Sequence, residues 1–112
     1  LRYLSCLKYV DVVVGNSSSG LLEVPSFKIP TVNMGERQKG RLKAGSVIDC
    51  DPKKNQITSA IKRAISLDFK ESCKVIKNPY GEGGASQKII QTIESIALED
   101  IIKKSFYDIK LR

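Results

Sequence analysis

Six consecutive residues, Gly15-Asn-Ser-Ser-Ser-Gly20, hold the densest chemistry in this chain. Three hydroxyls stand between two glycines, after the apolar run Val12-Val-Val14 and before the apolar pair Leu21-Leu22. A loop passing from a strand into a helix exposes backbone N–H groups, and hydroxyls beside them add donors, so such a loop can hold a phosphate with help from the helix dipole. The same residues can instead cap the helix, which needs only one serine. Three exceed that need. The pattern is neither a Walker A sequence nor GxGxxG. Glu23 lies one turn on, where its carboxylate can accept from ribose hydroxyls, as acidic residues do in dinucleotide folds, or serve the helix dipole. Arg37 and Arg41 follow the next apolar run; a guanidinium fork there matches phosphate oxygens, the alternative being an exposed basic loop.

Other chemistries are excluded by what is missing from the 112 residues. There is no histidine, so no Ser-His-Asp triad, Cys-His pair or histidine metal site can be completed here. Cys6, Cys50 and Cys73 are odd in number and lack CxxC spacing, which argues against a disulfide framework or a zinc site. The net charge of +7 admits a polyanionic partner. Most of the lysines, however, are spread along helix-like segments, and the cations of Glu36-Arg-Gln-Lys-Gly-Arg-Leu-Lys43 have no aromatic residue beside them on which bases could stack. Nucleic acid is therefore not an expected partner. No apolar run approaches the roughly 18 residues that cross a bilayer, so no membrane is expected either. Residue 1 is leucine and Met34 is the only methionine, from which the chain is expected to be a segment of a longer protein.

The elements that must position the serine loop follow from periodicity. Leu4, Leu7 and Val10 read as the last turns of a helix, and Asp11-Val-Val-Val-Gly15 as a short buried strand. A short helix through Leu21, Leu22 and Val24 is expected to start on serine caps and to be curtailed by Pro25. Ile29-Pro-Thr-Val-Asn-Met34 and Ser46-Val-Ile-Asp49 read as two further strands. Ile57, Ala60, Ile61, Ala64 and Ile65 share one face of a helix that starts after Asp51-Pro52. Beyond the turn formers Asn78-Pro-Tyr-Gly-Glu-Gly-Gly84, a second amphipathic helix carries Ile89, Ile90, Ile93, Ile96 and Ala97, its stripe continuing through Leu98, Ile101, Ile102, Phe106 and Ile109 as core or subunit packing. Short apolar strands alternating with helices predict an α/β fold: part of a Rossmann-like, doubly wound parallel sheet. In such a sheet ligands lie beyond the carboxyl ends of the strands, here Gly15 to Gly20 and Gly35 to Arg41.

Four segments, Val14-Gly-Asn-Ser-Ser-Ser-Gly-Leu-Leu-Glu23, Pro25-Ser-Phe-Lys-Ile-Pro-Thr-Val-Asn33, Gly35-Glu-Arg-Gln-Lys-Gly-Arg41 and Asn78-Pro-Tyr-Gly81, resemble in order and spacing the hydrolysing UDP-N-acetylglucosamine 2-epimerases. The resemblance covers nearly the whole chain, and Gly-x-Arg-Gln-x-Gly-Arg is its specific pattern. The non-hydrolysing enzymes have a differently built serine-glycine loop with adjacent acids and an arginine-glutamate-containing loop, so Gln38 and Gly40 favour the hydrolysing branch. The chain departs from the family at Lys28, where a glycine is common, and at Gly81-Glu-Gly-Gly84, where Gly-Asp-Gly-Asn is usual.

The resemblance implies a glycosyltransferase-B fold, with residues 1–112 as the C-terminal part of the nucleotide-binding domain of a two-domain enzyme. It implies elimination of UDP to a 2-acetamidoglucal intermediate, then water addition giving N-acetylmannosamine for sialic-acid-type synthesis. Ser17 and Ser18 would bind the UDP phosphates, Glu23 the ribose and Arg37 the nucleotide side of the cleft, with Ser19 and Gly20 completing the UDP-binding loop. No catalytic residue, metal or cofactor is expected in this segment, because the family's acids, bases and histidine lie upstream. The expected partners are a UDP-sugar, the N-terminal domain of the same parent and further copies in a dimer or tetramer, in the cytoplasm. Two alternatives remain at this point: a 2-epimerase acting on a UDP-diacetamido-trideoxy sugar of the bacillosamine type, and a non-catalytic phosphate-binding α/β module.

Overall fold

The computed structural model describes residues 2–97 of the chain. The described residues divide after Glu82 into two units, 2–82 and 83–97, taken separately below.

The first unit is built on three short parallel strands, β1 (Val13–Gly15), β2 (Thr31–Met34) and β3 (Val47–Cys50), in the order β1-β2-β3. Val14 stands opposite Val32, and Val32 opposite Ile48; Asn33 links Gly15 on one side to Asp49 on the other. Thr31, Val32 and Asn33 of the central strand are all buried, as a parallel strand covered on both faces requires. Helices α1 (Arg2–Cys6), α2 (Ser19–Leu22), α3 (Lys54–Ala64) and α4 (Leu67–Lys74) surround the sheet.

Side chains alternate along β2, so each face meets a different helix. Val32 joins Ile48, Ala60 and Ala64 in a core against α3, with Val12, Met34, Ile61 and Phe69 packed around it. Thr31, on the other face, reaches α2, where its hydroxyl donates to the Gly20 carbonyl at 2.9 Å. The two small residues Ala60 and Ala64 let α3 approach the sheet closely, and they lie on the face that the helical period predicts. Ile65, assigned to the same face, is exposed because it is the C-cap of α3.

Three local expectations are corrected. Helix α1 ends at Cys6 and continues as a 3-10 turn over Leu7–Tyr9, leaving Val10 extended. Pro25 does not stop the chain's winding after α2: Val24–Phe27 form a 3-10 turn, in which a proline near the start loses no needed donor. Helix α4 has no counterpart among the elements read from periodicity. It buries only Cys73, and at its start Ser66 Oγ accepts from Phe69 N–H at 3.4 Å.

In the second unit, α5 (Ala85–Ser95) follows Gly84, whose φ of 76° suits a residue without a Cβ. Ile89, Ile90, Ile93 and Ile96 are exposed. The stripe from Leu98 to Ile109 lies outside the described residues. Among the described residues no helix is long and apolar enough to cross a membrane.

Candidate functional site

Parallel strands put their carboxyl ends on one edge of the sheet, so the serine loop after β1 and the basic loop after β2 emerge side by side. The serine loop is ordered by its own backbone. Gly20 N–H donates to the Ser17 carbonyl at 3.2 Å, and Leu21 and Leu22 N–H both donate to the Ser18 carbonyl at 2.9 Å. Ser17 Oγ accepts from Ser19 N–H at 3.3 Å, and Ser19 Oγ is hydrogen-bonded to the Tyr3 hydroxyl.

This arrangement corrects the expectation of serine capping. Ser18 occupies the N-cap of α2 with helical dihedrals (φ −60°, ψ −24°), and its side chain makes no cap bond. An N-cap hydroxyl reaches the N–H groups of the first turn from extended backbone, which Ser18 lacks. The dipole argument weakens too, because α2 is four residues long and few peptides are aligned. Any anion held here is held by local N–H groups and hydroxyls.

A recess of about 230 Å³ opens at this point, lined by Tyr3, Val13, Val14, Gly15, Ser17, Ser19, Gly20 and Thr31. Small-molecule sites run to roughly 300–1,000 Å³, so the recess has the size of a subsite. Ser17, Ser19 and Gly20 of the expected set meet there; Ser18, Glu23 and Arg37 do not line it. Glu23 is exposed at the C-cap of α2, and Arg37 is exposed on the neighbouring loop. A larger depression of about 650 Å³ beside Lys54, Asn55, Thr58, Ser59 and Lys62 lies on α3. All five of those side chains are exposed, which makes it an open helix face.

The ties between loops are the residues that sequence reasoning missed. Gln38, one position after Arg37, is 3% exposed and donates from Nε2 to the Asn16 carbonyl at 2.8 Å. Asn78 donates from Nδ2 to the Leu22 carbonyl at 2.8 Å and to Ser26 Oγ at 2.7 Å, while its Oδ1 accepts from Tyr80 N–H at 3.0 Å. The Tyr80 hydroxyl donates to the Leu42 carbonyl at 2.9 Å. Asn78 and Tyr80 thus join α2 to the end of the basic loop. Both sit in motifs that carry the family resemblance, but only burial and partners reveal what they do.

Lys28 belongs to the same framework. Its φ of 60° is left-handed, the region where glycine is at ease, which accounts for the glycine usual at this position. The lysine that replaces it donates from Nζ to the Ile76 carbonyl.

A second depression, about 330 Å³, lies at the carboxyl ends of β2 and β3 and is lined by Gly35, Glu36, Lys39, Lys43, Asp49, Cys50, Asp51 and Gln56. Here Lys43 Nζ bonds both Asp49 oxygens, at 2.9 and 2.7 Å, and Asn33 Nδ2 donates to Asp49 Oδ1 at 2.7 Å. Partial burial alone would push the Asp49 carboxyl up, but the Lys43 and Asn33 hydrogen bonds and the Lys43 charge hold it below its ordinary 3.8. Burial, with the Asp51 and Asp49 carboxylates, pushes the Cys50 thiol up, and burial does the same at Cys73. Neither is an activated nucleophile.

Similarity to known proteins agrees with this architecture. The chain is 41% identical over 108 residues to polysialic acid biosynthesis protein P7 of Escherichia coli, covering 96% of this chain and 28% of that protein. It is 41% identical over 109 residues to the GDP/UDP-N,N'-diacetylbacillosamine 2-epimerase (hydrolyzing) of Campylobacter jejuni, covering 96% and 28%. With the UDP-N-acetylglucosamine 2-epimerase of Neisseria meningitidis it shares 38% identity over 65 residues, 58% of this chain and 17% of that enzyme. The chain therefore spans little more than a quarter of the length of the first two relatives. Residues 1–94 match the UDP-N-acetylglucosamine 2-epimerase family, and with the serine loop, the Gly-x-Arg-Gln-x-Gly-Arg loop and the parallel sheet in the order described, the chain belongs to that family.

Proposed function

We propose that residues 1–112 form the C-terminal part of the nucleotide-binding domain of a two-domain hydrolysing 2-epimerase and hold the UDP half of its substrate. The observation that carries this reading is the meeting of Ser17, Ser19 and Gly20 in one recess at the carboxyl end of β1, in a chain of this family. In the proposed reaction a base from the rest of the parent enzyme takes the C2 proton, the C2–H electron pair forms the C1=C2 bond of the glycal, and the C1–O bond breaks with its electron pair leaving on UDP. Negative charge then grows on the β-phosphate, where preorganised donors lower the barrier. The Ser17 and Ser18 hydroxyls and loop N–H groups are proposed as those donors, Arg37 as the cation on the nucleotide side and Glu23 as the ribose acceptor. Water addition to the glycal then gives the 2-epimer, N-acetylmannosamine for a UDP-N-acetylglucosamine substrate, as used in sialic-acid-type synthesis. The groups that move protons belong to the rest of the parent enzyme, which is proposed to be a cytoplasmic homo-oligomer.

A second reading, a UDP-diacetamido-trideoxy sugar as substrate, is supported by the activity for which the Campylobacter jejuni relative is named, matched over 96% of this chain. The sugar would lie across the cleft from these residues, so the two readings share one UDP site. Assaying the parent enzyme for UDP release from each sugar nucleotide separates them. Release from UDP-N-acetylglucosamine alone supports the first reading, and release from the diacetamido sugar alone supports the second. Release from neither leaves the non-catalytic phosphate-binding module.

A further inference from the structure

We propose that Gln38 is a positioning residue for the UDP site, aiming the serine loop through the Asn16 carbonyl; the inference rests on the UDP-binding reading above. Gln38 is buried, and among the described residues its side chain makes one hydrogen bond, from Nε2 to that carbonyl at 2.8 Å. Its Oε1 is enclosed without a partner. The amide cannot turn over to relieve this, because the flipped group would set oxygen against oxygen. An apolar side chain of similar volume would avoid the stranded oxygen at once. What the glutamine adds is the one donor that fixes Asn16.

Fixing Asn16 has a direct consequence for the anion site. The Asn16 carbonyl and the Ser17 N–H belong to one planar peptide unit, so holding the oxygen sets the direction of the N–H. Ser17 also lines the recess, its hydroxyl accepting from Ser19 N–H. On the other side of the bond, Gly35 and Gly40 have φ values of 74° and 77°, and these turns bracket the loop in which Gln38 points inward while its neighbour Arg37 stays exposed. One hydrogen bond therefore sets the spacing between the serine loop and the backbone that carries Arg37. Gln38 acts through Asn16 and is given no contact with substrate.

The test is calorimetric titration of the parent enzyme with UDP, using wild type, Gln38→Met, Ser17→Ala and the double variant, with thermal unfolding recorded for each. Gln38→Met keeps the volume and removes the donor; UDP affinity is expected to fall about tenfold. Ser17→Ala is expected to cost at least threefold less in the Gln38→Met background than alone, because the serine is no longer aimed. Gln38→Leu, likewise apolar and without the donor, gives the same comparison should Gln38→Met fail to fold. Wild-type affinity in the folded variants overturns the inference while leaving the UDP site in place. Additive losses also overturn it, since they assign Gln38 a purely structural role. A wild-type parent that does not bind UDP overturns both this inference and the function it rests on.

Discussion

Thr31 stands so close to Gly20 that a Cβ built on the glycine would lie 2.7 Å from Thr31 Cγ2. The same threonine donates its hydroxyl to the Gly20 carbonyl at 2.9 Å, so β2 both pins α2 and forbids it a side chain at that point. Gly20→Ala is expected to destabilise the fold by about 1–2 kcal/mol, overpacking of about 1–3 kcal/mol being partly offset by alanine's better helix propensity. Thermal unfolding should register this as a fall of roughly 4–15 °C. Thr31→Ser removes Cγ2 and retains the hydroxyl, so adding it to Gly20→Ala should recover most of the loss; no recovery would show that the clash is not the cause.

The Asn78 side chain makes three hydrogen bonds while the residue is 9% exposed. Asn78→Asp keeps the shape and the acceptor for Tyr80 N–H but replaces the donor to Leu22 and Ser26 with an acidic oxygen. Leaving the Leu22 carbonyl facing that oxygen should cost about 1–3 kcal/mol. Chemical denaturation should show an earlier midpoint with an unchanged slope, which distinguishes lost stability from a changed unfolded state.

The Asp49 carboxyl, held below its ordinary 3.8 chiefly by Lys43 and Asn33 against the opposing effect of burial, sets one part of the acid response. A lowered folded-state value means the contribution is fully present above pH 3.8 and is lost as pH falls through the lowered value. Asp49 is 53% exposed and the Lys43 side chain 25%, so the pair should contribute under about 1 kcal/mol at neutral pH. Asp49→Asn should therefore be slightly less stable than wild type at pH 7, and the gap should close as pH is taken below 3.8. A gap that stays constant with pH would remove Asp49 from the acid transition.

The sheet and its two flanking faces were legible because β-branched runs ending in glycine and the 3.6-residue period of Ile57, Ala60, Ile61 and Ala64 are strong local signals. Helix α4 was not: Leu67, Phe69 and Cys73 give too thin a stripe. In the site, the serine loop could be read from its hydroxyls and glycines. The inward turn of Gln38 could not, because burial of a glutamine in a basic loop depends on the backbone turns at Gly35 and Gly40 and on a carbonyl 22 residues away in sequence. Tyr3 escaped for a similar reason, its hydroxyl meeting a serine 16 residues away in sequence.

The 112 residues alone are expected to turn over neither sugar nucleotide. They contain no histidine, and the recess has only the size of a subsite, in keeping with the proposal that the acid and base belong to the rest of the parent enzyme. UDP release above the uncatalysed rate by the purified chain would show that the acid and base lie within it.

The serine hydroxyls decide whether the loop is a ligand site or only a turn. Ser18 makes no cap bond, and the 3.3 Å contact from Ser19 N–H to Ser17 Oγ is long, so neither hydroxyl contributes much to folding. Replacing either by alanine should shift stability by less than the roughly 1 kcal/mol that loss of a working cap costs. A hydroxyl that donates to a charged phosphate contributes about 1.5–3 kcal/mol, which corresponds to roughly a ten- to hundredfold loss of UDP affinity in the parent enzyme. Titration with UDP beside thermal unfolding, for Ser17→Ala and Ser18→Ala separately and with Arg37→Ala as a comparison on the nucleotide side, reads both quantities at once. Loss of affinity at constant stability assigns the hydroxyls to the phosphates. Unchanged affinity in all three variants would sink the phosphate assignment, and loss of stability at constant affinity would return the serines to a capping role that their dihedrals do not support.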